Sequence, residues 1–257
     1  LFKYISFFYQ IIDMLIGMAF SPAKSGIWSL VLPIGISFYT FQSIAYLLDV
    51  YKNKTKAETD FPGFVLFISF FPQLVAGPIE RAAHLAPQLR QLSNPSWQLI
   101  EQGFLLILYG FFKKIFIADR LDLYTEQVFS FPELYQGPHI VLANLFFTFQ
   151  IYCDFSGYTD IARGTARLFG VNLMLNFNKP YLSSSFREFW SRWHISLSNW
   201  FRDVLYIPLG GNKRGTHQTL FNLSIVFFFS GLWHGAGFNY ILWGCYHGLL
   251  VIVERLL

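Results

Sequence analysis

One histidine near the end of the chain lies where an ionisable side chain is costly. His234 is in the string Gly-Leu-Trp-His-Gly-Ala-Gly at residues 231–237, after a run of Phe and Leu residues. Ionisable groups inside membrane segments are rare and are usually functional. A neutral imidazole in such a place can accept a proton from a hydroxyl group. His234 is therefore the first candidate for a catalytic base, and a histidine that only hydrogen-bonds a neighbouring helix is the alternative.

A second histidine, His194, lies in a polar segment that is rich in tryptophan. Residues 171–216 are too polar to cross a membrane, and their spacing predicts an amphipathic helix over 186–202. Such a helix is suited to lie at the membrane interface or against a bundle. Its polar residues share one face, within about 60° of one another: Arg187, Ser191, His194 and Ser198. Position alone leaves open whether His194 belongs to a site or faces water.

Two carboxylates, Asp154 and Asp160, lie in or beside an apolar stretch. Their separation places them on different faces of a helix, so a helix cap or an ion pair with Arg163 or Arg167 is favoured over an acid/base pair. The sequence has no pair of histidines four residues apart with a carboxylate and no glycine-rich phosphate loop. Neither a metal site nor a nucleotide site is predicted.

The elements that must hold these residues are long hydrophobic stretches. The chain is 54% hydrophobic and 13% charged, whereas about a quarter of the residues of a soluble domain are charged. Stretches of about 19–25 residues are long enough to cross a ~30 Å hydrocarbon layer as helices. They cover roughly 1–20, 27–51, 61–79, 97–118, 138–162, 217–238 and 239–257. The predicted fold is all-α, a polytopic transmembrane helical bundle with re-entrant or interfacial helices.

Three places in this arrangement are irregular. Residues 71–79 hold two prolines and a glycine, which predicts a broken or re-entrant helix. The last two stretches are separated only by residues 237–239, which fits either a tight hairpin or a kinked continuous helix. Residues 209–215 predict a tight basic turn. No repeat or linker divides the chain, so we expect a single domain over 1–257 that is a fragment of a longer protein.

The charged residues and the cysteines indicate which kinds of partner and site to expect. The net charge of +4 comes from basic residues in loops and at helix ends, a distribution that suits contact with anionic lipid headgroups. These residues do not form the basic stripe that is typical of nucleic-acid binding. Cys153 and Cys245 lie in apolar surroundings without CxxC spacing. They are expected to be small core residues rather than a disulfide or a metal site.

Many of these residues belong to longer strings that follow one another along the chain. The strings are Pro-Ile-Gly-Ile-Ser-Phe at 33–38, Phe-Pro with Ala-Gly-Pro-Ile at 71–79, Lys-Lys at 113–114, Tyr-Cys-Asp-Phe-Ser-Gly-Tyr-Thr-Asp at 152–160, Asn-Phe with Pro-Tyr at 176–181, Phe-Trp-Ser-Arg-Trp-His-Ile-Ser-Leu-Ser at 189–198, and Arg-Asp with Leu-Tyr-Ile-Pro-Leu-Gly-Gly-Asn at 202–212. Together they resemble the membrane-bound O-acyltransferase (MBOAT) family, in particular its bacterial branch that acylates alginate or teichoic acid.

The resemblance implies a mechanism and its residues. It makes His234 the essential histidine and His194 the second functional one, in a tunnel that crosses the membrane. We expect His234 to take the proton of an acceptor hydroxyl as it attacks a thioester, and His194 to orient the acceptor or stabilise the oxyanion. The two histidines are expected to converge on one cavity. The expected substrate-binding residues are Arg187, Ser191, Trp193, Ser198, Trp233 and Asp203.

The expected function is transfer of an acyl group to hydroxyls of an exported polysaccharide such as alginate. Acetyl is the favoured acyl group. The alternatives are D-alanyl or other acyl transfer to teichoic acid or a lipid, and a proton-coupled transporter. No bound cofactor is expected, because acetyl-CoA or an acyl carrier is a substrate. The expected partners are the lipid bilayer, the polysaccharide, the donor or its carrier protein, and a periplasmic partner acyltransferase. The expected location is the bacterial inner membrane, with several passes.

Overall fold

The computed structural model describes residues 35–75, 77–92 and 94–257, and these ranges contain helices and no strand. The all-α expectation is confirmed for them. The predicted stretch 1–20, the start of the stretch 27–51 and the first two residues of the string at 33–38 lie outside the described residues. Residues 37–178 and 192–197 form one compact unit, called the N-terminal unit here. The C-terminal unit contains residues 179–191 and 198–257, with Gly35 and Ile36.

The N-terminal unit is built from helices of very different length. They are α1 (Ile36–Tyr51), α2 (Phe61–Ser69), α3 (Phe71–Leu74), α4 (Ala82–Arg90), α5 (Trp97–Phe111), α6 (Asp119–Ser130) and α7 (Gly137–Leu168). A π-helical turn over Phe112–Ala118 connects α5 to α6. Side chains cap two of the starts: Asp60 accepts a hydrogen bond from the N–H of Gly63, and Ser96 accepts one from that of Leu99.

The predicted break within 61–79 is confirmed. Helix α2 ends at Ser69 and the short α3 begins at Phe71, with Pro72 in its first turn. The break leaves the carbonyl of Phe67 without a helical partner. The buried side-chain amides of Gln42 and Gln73 donate to it at 2.8 and 3.2 Å. Two glutamines therefore satisfy the backbone that the break exposes.

Helices α5 and α7 approach closely at paired glycines. Gly103 faces Gly164 and Gly110 faces Gly157, so the two helices run antiparallel. A methyl group on Gly110 would lie 2.6 Å from the carbonyl oxygen of Gly157, and one on Gly157 would lie 2.8 Å from that of Gly110. No side chain fits at these positions, and the contact is therefore made backbone to backbone.

Among the described residues, α7 is the one helix that is long and apolar enough to cross a membrane by length and composition. Its 32 residues extend about 48 Å at 1.5 Å per residue, more than the ~30 Å that a span needs. This observation agrees with a membrane protein.

The last two helices form a hairpin. Helix α8 (Phe186–Arg192) and helix α9 (Ile195–Phe201) come first, and a π-helical turn over Arg202–Tyr206 follows. Then α10 (Thr216–His234) and α11 (Phe238–Leu256) pack against each other. A methyl group on Gly231 of α10 would lie 3.1 Å from the Cα of Gly244 on α11. The tight hairpin, rather than the kinked continuous helix, is therefore found.

The basic turn over 209–215 is confirmed. Gly210, Gly211 and Gly215 have φ angles of +107°, +56° and +87°, a region that favours glycine. The fully buried side chain of Asn222 donates to the carbonyl of Gly211 at 2.9 Å. The turn is thereby attached to helix α10.

The predicted continuous helix over 186–202 is wrong. Helix α8 ends at Arg192 and α9 begins at Ile195, and His194 between them has a left-handed φ of +42°. Hydrogen bonds from outside the helix replace the helical ones. The N–H of Ile195 donates to the carbonyl of Asn176 at 2.9 Å. The N–H of Asn178 donates to that of Arg192, also at 2.9 Å. The four polar residues at 187, 191, 194 and 198 consequently do not share one helical face.

The glycine contact predicts a sharp difference between two alanine substitutions. We expect Gly157→Ala to lower the stability of the protein by about 1–3 kcal/mol, because the new methyl group meets the Gly110 carbonyl. Gly137→Ala is the matched control on the same helix, since a methyl group there meets nothing within 4 Å. Thermal unfolding in detergent measures both variants. Equal midpoints for the two would contradict the backbone contact.

Candidate functional site

His194 is enclosed by aromatic rings in the N-terminal unit. Its side chain is 3% exposed, and its imidazole lies edge-on to Phe155 of α7 with ring centroids 4.7 Å apart. Phe155 in turn contacts Phe177 at 5.1 Å. Trp193 packs on the same Phe177 at 5.0 Å and on Tyr152 at 6.2 Å. Residues from three separate strings, Tyr152 and Phe155, Phe177, and Trp193, are therefore brought together near this imidazole.

The backbone near His194 is held by side chains as well as by backbone groups. Ser196 accepts a hydrogen bond on its hydroxyl from the N–H of Ile79 at 2.9 Å. The N–H of Ser196 donates to the side-chain oxygen of Asn176 at 3.3 Å. Asn176 is fully buried. The left-handed conformation of His194 is thus fixed from both sides, as expected for a strained residue that the surrounding structure over-determines.

A buried carboxylate anchors the segment that precedes this region. Glu80 is 0% exposed and accepts a 2.5 Å hydrogen bond from the N–H of Met174. Its second oxygen lies 2.6 Å from Nδ1 of His84. The hydrogen bond to Glu80 raises the pKa of His84 above its ordinary value of 6.5. Gln88 adds two bonds to the backbone of Asn172, one donated and one accepted.

A cluster of charges connects the π-helical turn to α7. Lys113 forms an ion pair with Asp160 and donates to the hydroxyl of Ser156 at 3.0 Å. Its ammonium group also lies 4.7 Å from the ring centroid of Tyr109. Lys114 pairs with Asp154 at 2.6 Å. Both carboxylates therefore have structural partners here.

The expected arginine partners of these carboxylates are found only in part. Arg163 lies 3.6 Å from Asp160, and the shorter ion pairs are made by Lys113 and Lys114. Sequence reasoning noted the two lysines but did not pair them. The two pairs join residues forty or more positions apart, which local spacing does not reveal.

His234 occupies the end of a helix in the C-terminal unit. It is the last residue of α10, and its side chain is exposed. The imidazole lies edge-on to Trp233 and to Trp243, with both centroids 4.8 Å away. Trp243 also contacts His247 at 4.8 Å and Trp190 at 5.8 Å. Aromatic rings thus fix the imidazole while leaving it accessible.

The other predicted site residues divide between the two units. His194 and Trp193 belong to the N-terminal unit, and His234 belongs to the C-terminal unit with the remaining ones, which are Arg187, Ser191, Ser198, Asp203 and Trp233. The structure brings Trp233 against His234. The hydroxyl of Ser191 donates to the carbonyl of Glu188 at 2.7 Å, and Asp203 accepts from Arg202 at 2.9 Å. The convergence of the two histidines on one cavity stays a prediction.

Sequence reasoning missed two polar residues near these positions. Ser230 is buried one helical turn before His234 on α10, and that spacing of four residues was a readable signal. The carboxylate of Glu254 on α11 accepts hydrogen bonds from the N–H groups of Phe186 and Arg187 at 2.6 and 3.1 Å. An acid at the end of an apolar stretch was the corresponding signal.

Comparison with known proteins gives one family and several relatives. The model of the MBOAT, membrane-bound O-acyltransferase family matches residues 56–257. The probable alginate O-acetylase AlgI of Pseudomonas aeruginosa is 43% identical over 256 residues, which is 100% of this chain and 49% of the relative. The peptidoglycan O-acetyltransferase of Helicobacter pylori is 35% identical over 280 residues, 99% of this chain and 52% of the relative.

A third relative has lower identity and a different name. The teichoic acid D-alanyltransferase of Streptococcus thermophilus is 28% identical over 248 residues, 91% of this chain and 59% of the relative. The chain spans about half the length of the curated relatives that it matches.

The lysine–aspartate pair predicts a non-additive pair of substitutions. Lys113→Met alone leaves Asp160 with only its longer contact to Arg163, and Asp160→Leu alone leaves the buried ammonium of Lys113 without its carboxylate. Each should destabilise the protein, by up to about 3–5 kcal/mol. The double variant removes both charges and should unfold at a higher temperature than either single variant. Thermal unfolding of the three variants in detergent is the measurement. Additive losses would contradict a direct interaction.

The raised pKa of His84 predicts a pH dependence of stability. The protonated imidazole bound to Glu80 contributes stability that is fully present below the ordinary pKa of 6.5 and is lost as the pH rises through the raised value. We expect the unfolding midpoint to fall over this window, and we expect His84→Gln to remove that part of the pH profile. His217→Gln, at an exposed position, is the control. An unchanged profile in His84→Gln would rule out this linkage.

Proposed function

Because the chain belongs to the membrane-bound O-acyltransferase family, we propose that the whole protein transfers an acetyl group from a thioester donor to hydroxyl groups of an exported polysaccharide. The observation that carries the proposal is the 43% identity to a probable alginate O-acetylase over 100% of the chain. A peptidoglycan O-acetyltransferase at 35% identity supports the same reaction on another polysaccharide. The acceptor is proposed to be alginate or a similar polymer.

A second candidate is D-alanyl transfer to teichoic acid. Teichoic acid D-alanyltransferases match 91% and 85% of this chain, at 28% and 29% identity. Their lower identity favours the acetyl transfer.

The proposed setting is the bacterial inner membrane, which the chain crosses several times. Large apolar side chains on α5 and the following π-helical turn are exposed, among them Phe104 at 58%, Leu108 at 51% and Phe116 at 67%. Val141 on α7 is exposed at 71%. So many exposed large apolar side chains are rare on soluble monomers and are expected where lipid or further helices cover them. A periplasmic partner acyltransferase and an acyl carrier remain proposed partners.

In the proposed mechanism, His234 acts as the base. It takes the proton of the acceptor hydroxyl while that oxygen attacks the thioester carbonyl, and the proton passes to the departing thiolate. The products are an ester and a thiol. The position of His234 at the C-terminal end of α10 supports this role, because a helix C-terminus stabilises the imidazolium that forms. The rings of Trp233 and Trp243 hold the imidazole in place.

His194 is assigned to the oxyanion or to the acceptor. A group that stabilises developing charge must be fixed before the reaction begins. His194 satisfies that requirement. Its buried imidazole packs against Phe155, and the next residue, Ile195, is hydrogen-bonded to the carbonyl of Asn176.

Replacement of His234 tests the proposed function. We expect His234→Ala to lower acetyl transfer by about 10²–10⁴-fold, the usual effect of losing a general base. His217→Ala is the matched control, because it changes an exposed histidine at the other end of the same helix. The assay follows labelled acetyl groups from acetyl-CoA, or from an acetylated carrier protein, into polysaccharide in membranes that contain the full-length protein. Wild-type turnover in His234→Ala would exclude the assignment.

Trp243 is predicted to position that base. Trp243→Ala removes a ring 4.8 Å from the imidazole and should lower kcat by about 10–10²-fold, because small displacements of a catalytic group are costly. Trp243→Phe keeps an aromatic edge and should retain most of the rate. The pH profile of kcat should move in the alanine variant alone. Identical kcat values in both variants would contradict a positioning role.

A further inference from the structure

The C-terminal unit contains a cavity that the proposed mechanism does not use. Its volume is about 320 Å³, at the lower end of the range of small-ligand pockets. It is lined by three consecutive serines, two aromatic rings and one histidine: Ser183, Ser184, Ser185, Phe186, Phe189 and His247.

Two carboxylates that bind the lining residues of this cavity disfavour an anionic ligand. The carboxylate of Glu254 already accepts the backbone N–H groups of Phe186 and Arg187. The carboxylate of Glu188 accepts both the N–H and the hydroxyl of Ser184, at 2.7 and 2.9 Å. The protein's own carboxylates therefore occupy these four donors, which a phosphate or a carboxylate would otherwise use. The fitting ligand is uncharged.

The wall nevertheless offers polar groups to a ligand. The hydroxyl of Ser183 donates to the carbonyl of Pro180 at 2.5 Å, and its oxygen keeps lone pairs for a further donor. The oxygen of Ser185 accepts from the N–H of Glu188, so its own O–H can donate. His247 also lines the cavity, next to these serines.

The cavity is close to the proposed base. His247 lines it, and a single indole, Trp243, lies between His247 and His234 with its centroid 4.8 Å from each imidazole. The indole of Trp243 therefore lies between His247, at the edge of the cavity, and the proposed base His234. This proximity favours a substrate of the same reaction over an unrelated lipid.

We propose that this cavity binds an uncharged segment of a substrate that carries hydroxyl or amide groups and also has apolar surface. The inference rests on the proposed function. Two substrates contain such a segment: the pantetheine arm of a thioester donor, with its amides, and a sugar ring of the acceptor, with its hydroxyls. Phe186 and Phe189 supply the apolar contact for either one.

Two substitutions alter the cavity without touching His234. His247→Phe keeps a ring against Trp190 and Trp243 and removes the polar nitrogens. Ser183→Val removes the hydroxyl oxygen that is left to accept from a ligand, and it fills part of the space. His217→Phe and Ser224→Val are matched controls at exposed positions of α10. Thermal unfolding of all four variants identifies any change caused by misfolding.

The measurement is steady-state kinetics of the full-length protein in membranes, with the acetyl thioester donor and acetyl-free alginate oligosaccharides varied separately. We expect both cavity variants to raise one KM about tenfold, the effect of roughly one or two hydrogen bonds, with a smaller change in kcat. A rise for the donor alone assigns the cavity to the pantetheine arm, and a rise for the oligosaccharide alone assigns it to the sugar. Unchanged KM values, or equal rises for both substrates, in an active and folded variant would overturn the inference. An inactive wild type would instead count against the proposed function.

Discussion

The backbone of residues 172–178 has no helix to satisfy its polar groups, and the rest of the N-terminal unit is arranged to bond it. The side chain of Gln88 hydrogen-bonds the N–H and the carbonyl of Asn172, and the buried carboxylate of Glu80 accepts from the N–H of Met174. Asn176 then bonds the two residues after His194, through its carbonyl and its side chain. Unpaired buried backbone groups cost roughly 1–3 kcal/mol each, so these contacts are required for the fold. They also interrupt the helix at His194 and set its imidazole against α7.

The C-terminal unit uses close helix packing for a comparable purpose. Gly231 and Gly244 allow α10 and α11 to approach at the end of the hairpin that carries His234. Trp243 is adjacent to Gly244, and this approach brings its indole to the imidazole. The same indole reaches His247 at the wall of the cavity. Small residues and large aromatic ones thus work together: the first set the distance, and the second fix the histidine.

Local signals predicted part of this structure. The prolines in 71–79 predicted the broken helix, the glycines in 209–215 predicted the turn, and the ordered strings predicted the family that the comparisons confirm. The continuous helix over 186–202 failed, because helical periodicity carries no information about a competing partner such as Asn176. The pairing of Lys113 with Asp160 was missed for a similar reason, since the partners lie on different helices. The roles of His194 and His234 stay predictions, because they concern chemistry that geometry alone does not report.

Direct transfer of the acyl group, with His234 as the base, has one chemical alternative close at hand. Ser230 is buried one turn before His234 on the same helix, and a covalent route would use a serine that a histidine activates. The intact mass of the full-length protein after incubation with the thioester donor and no acceptor distinguishes the two routes. Direct transfer predicts no added acyl mass, and it predicts that free thiol is released only when the polysaccharide is present. An acyl group found on Ser230, and passed on when acceptor is added, would contradict it.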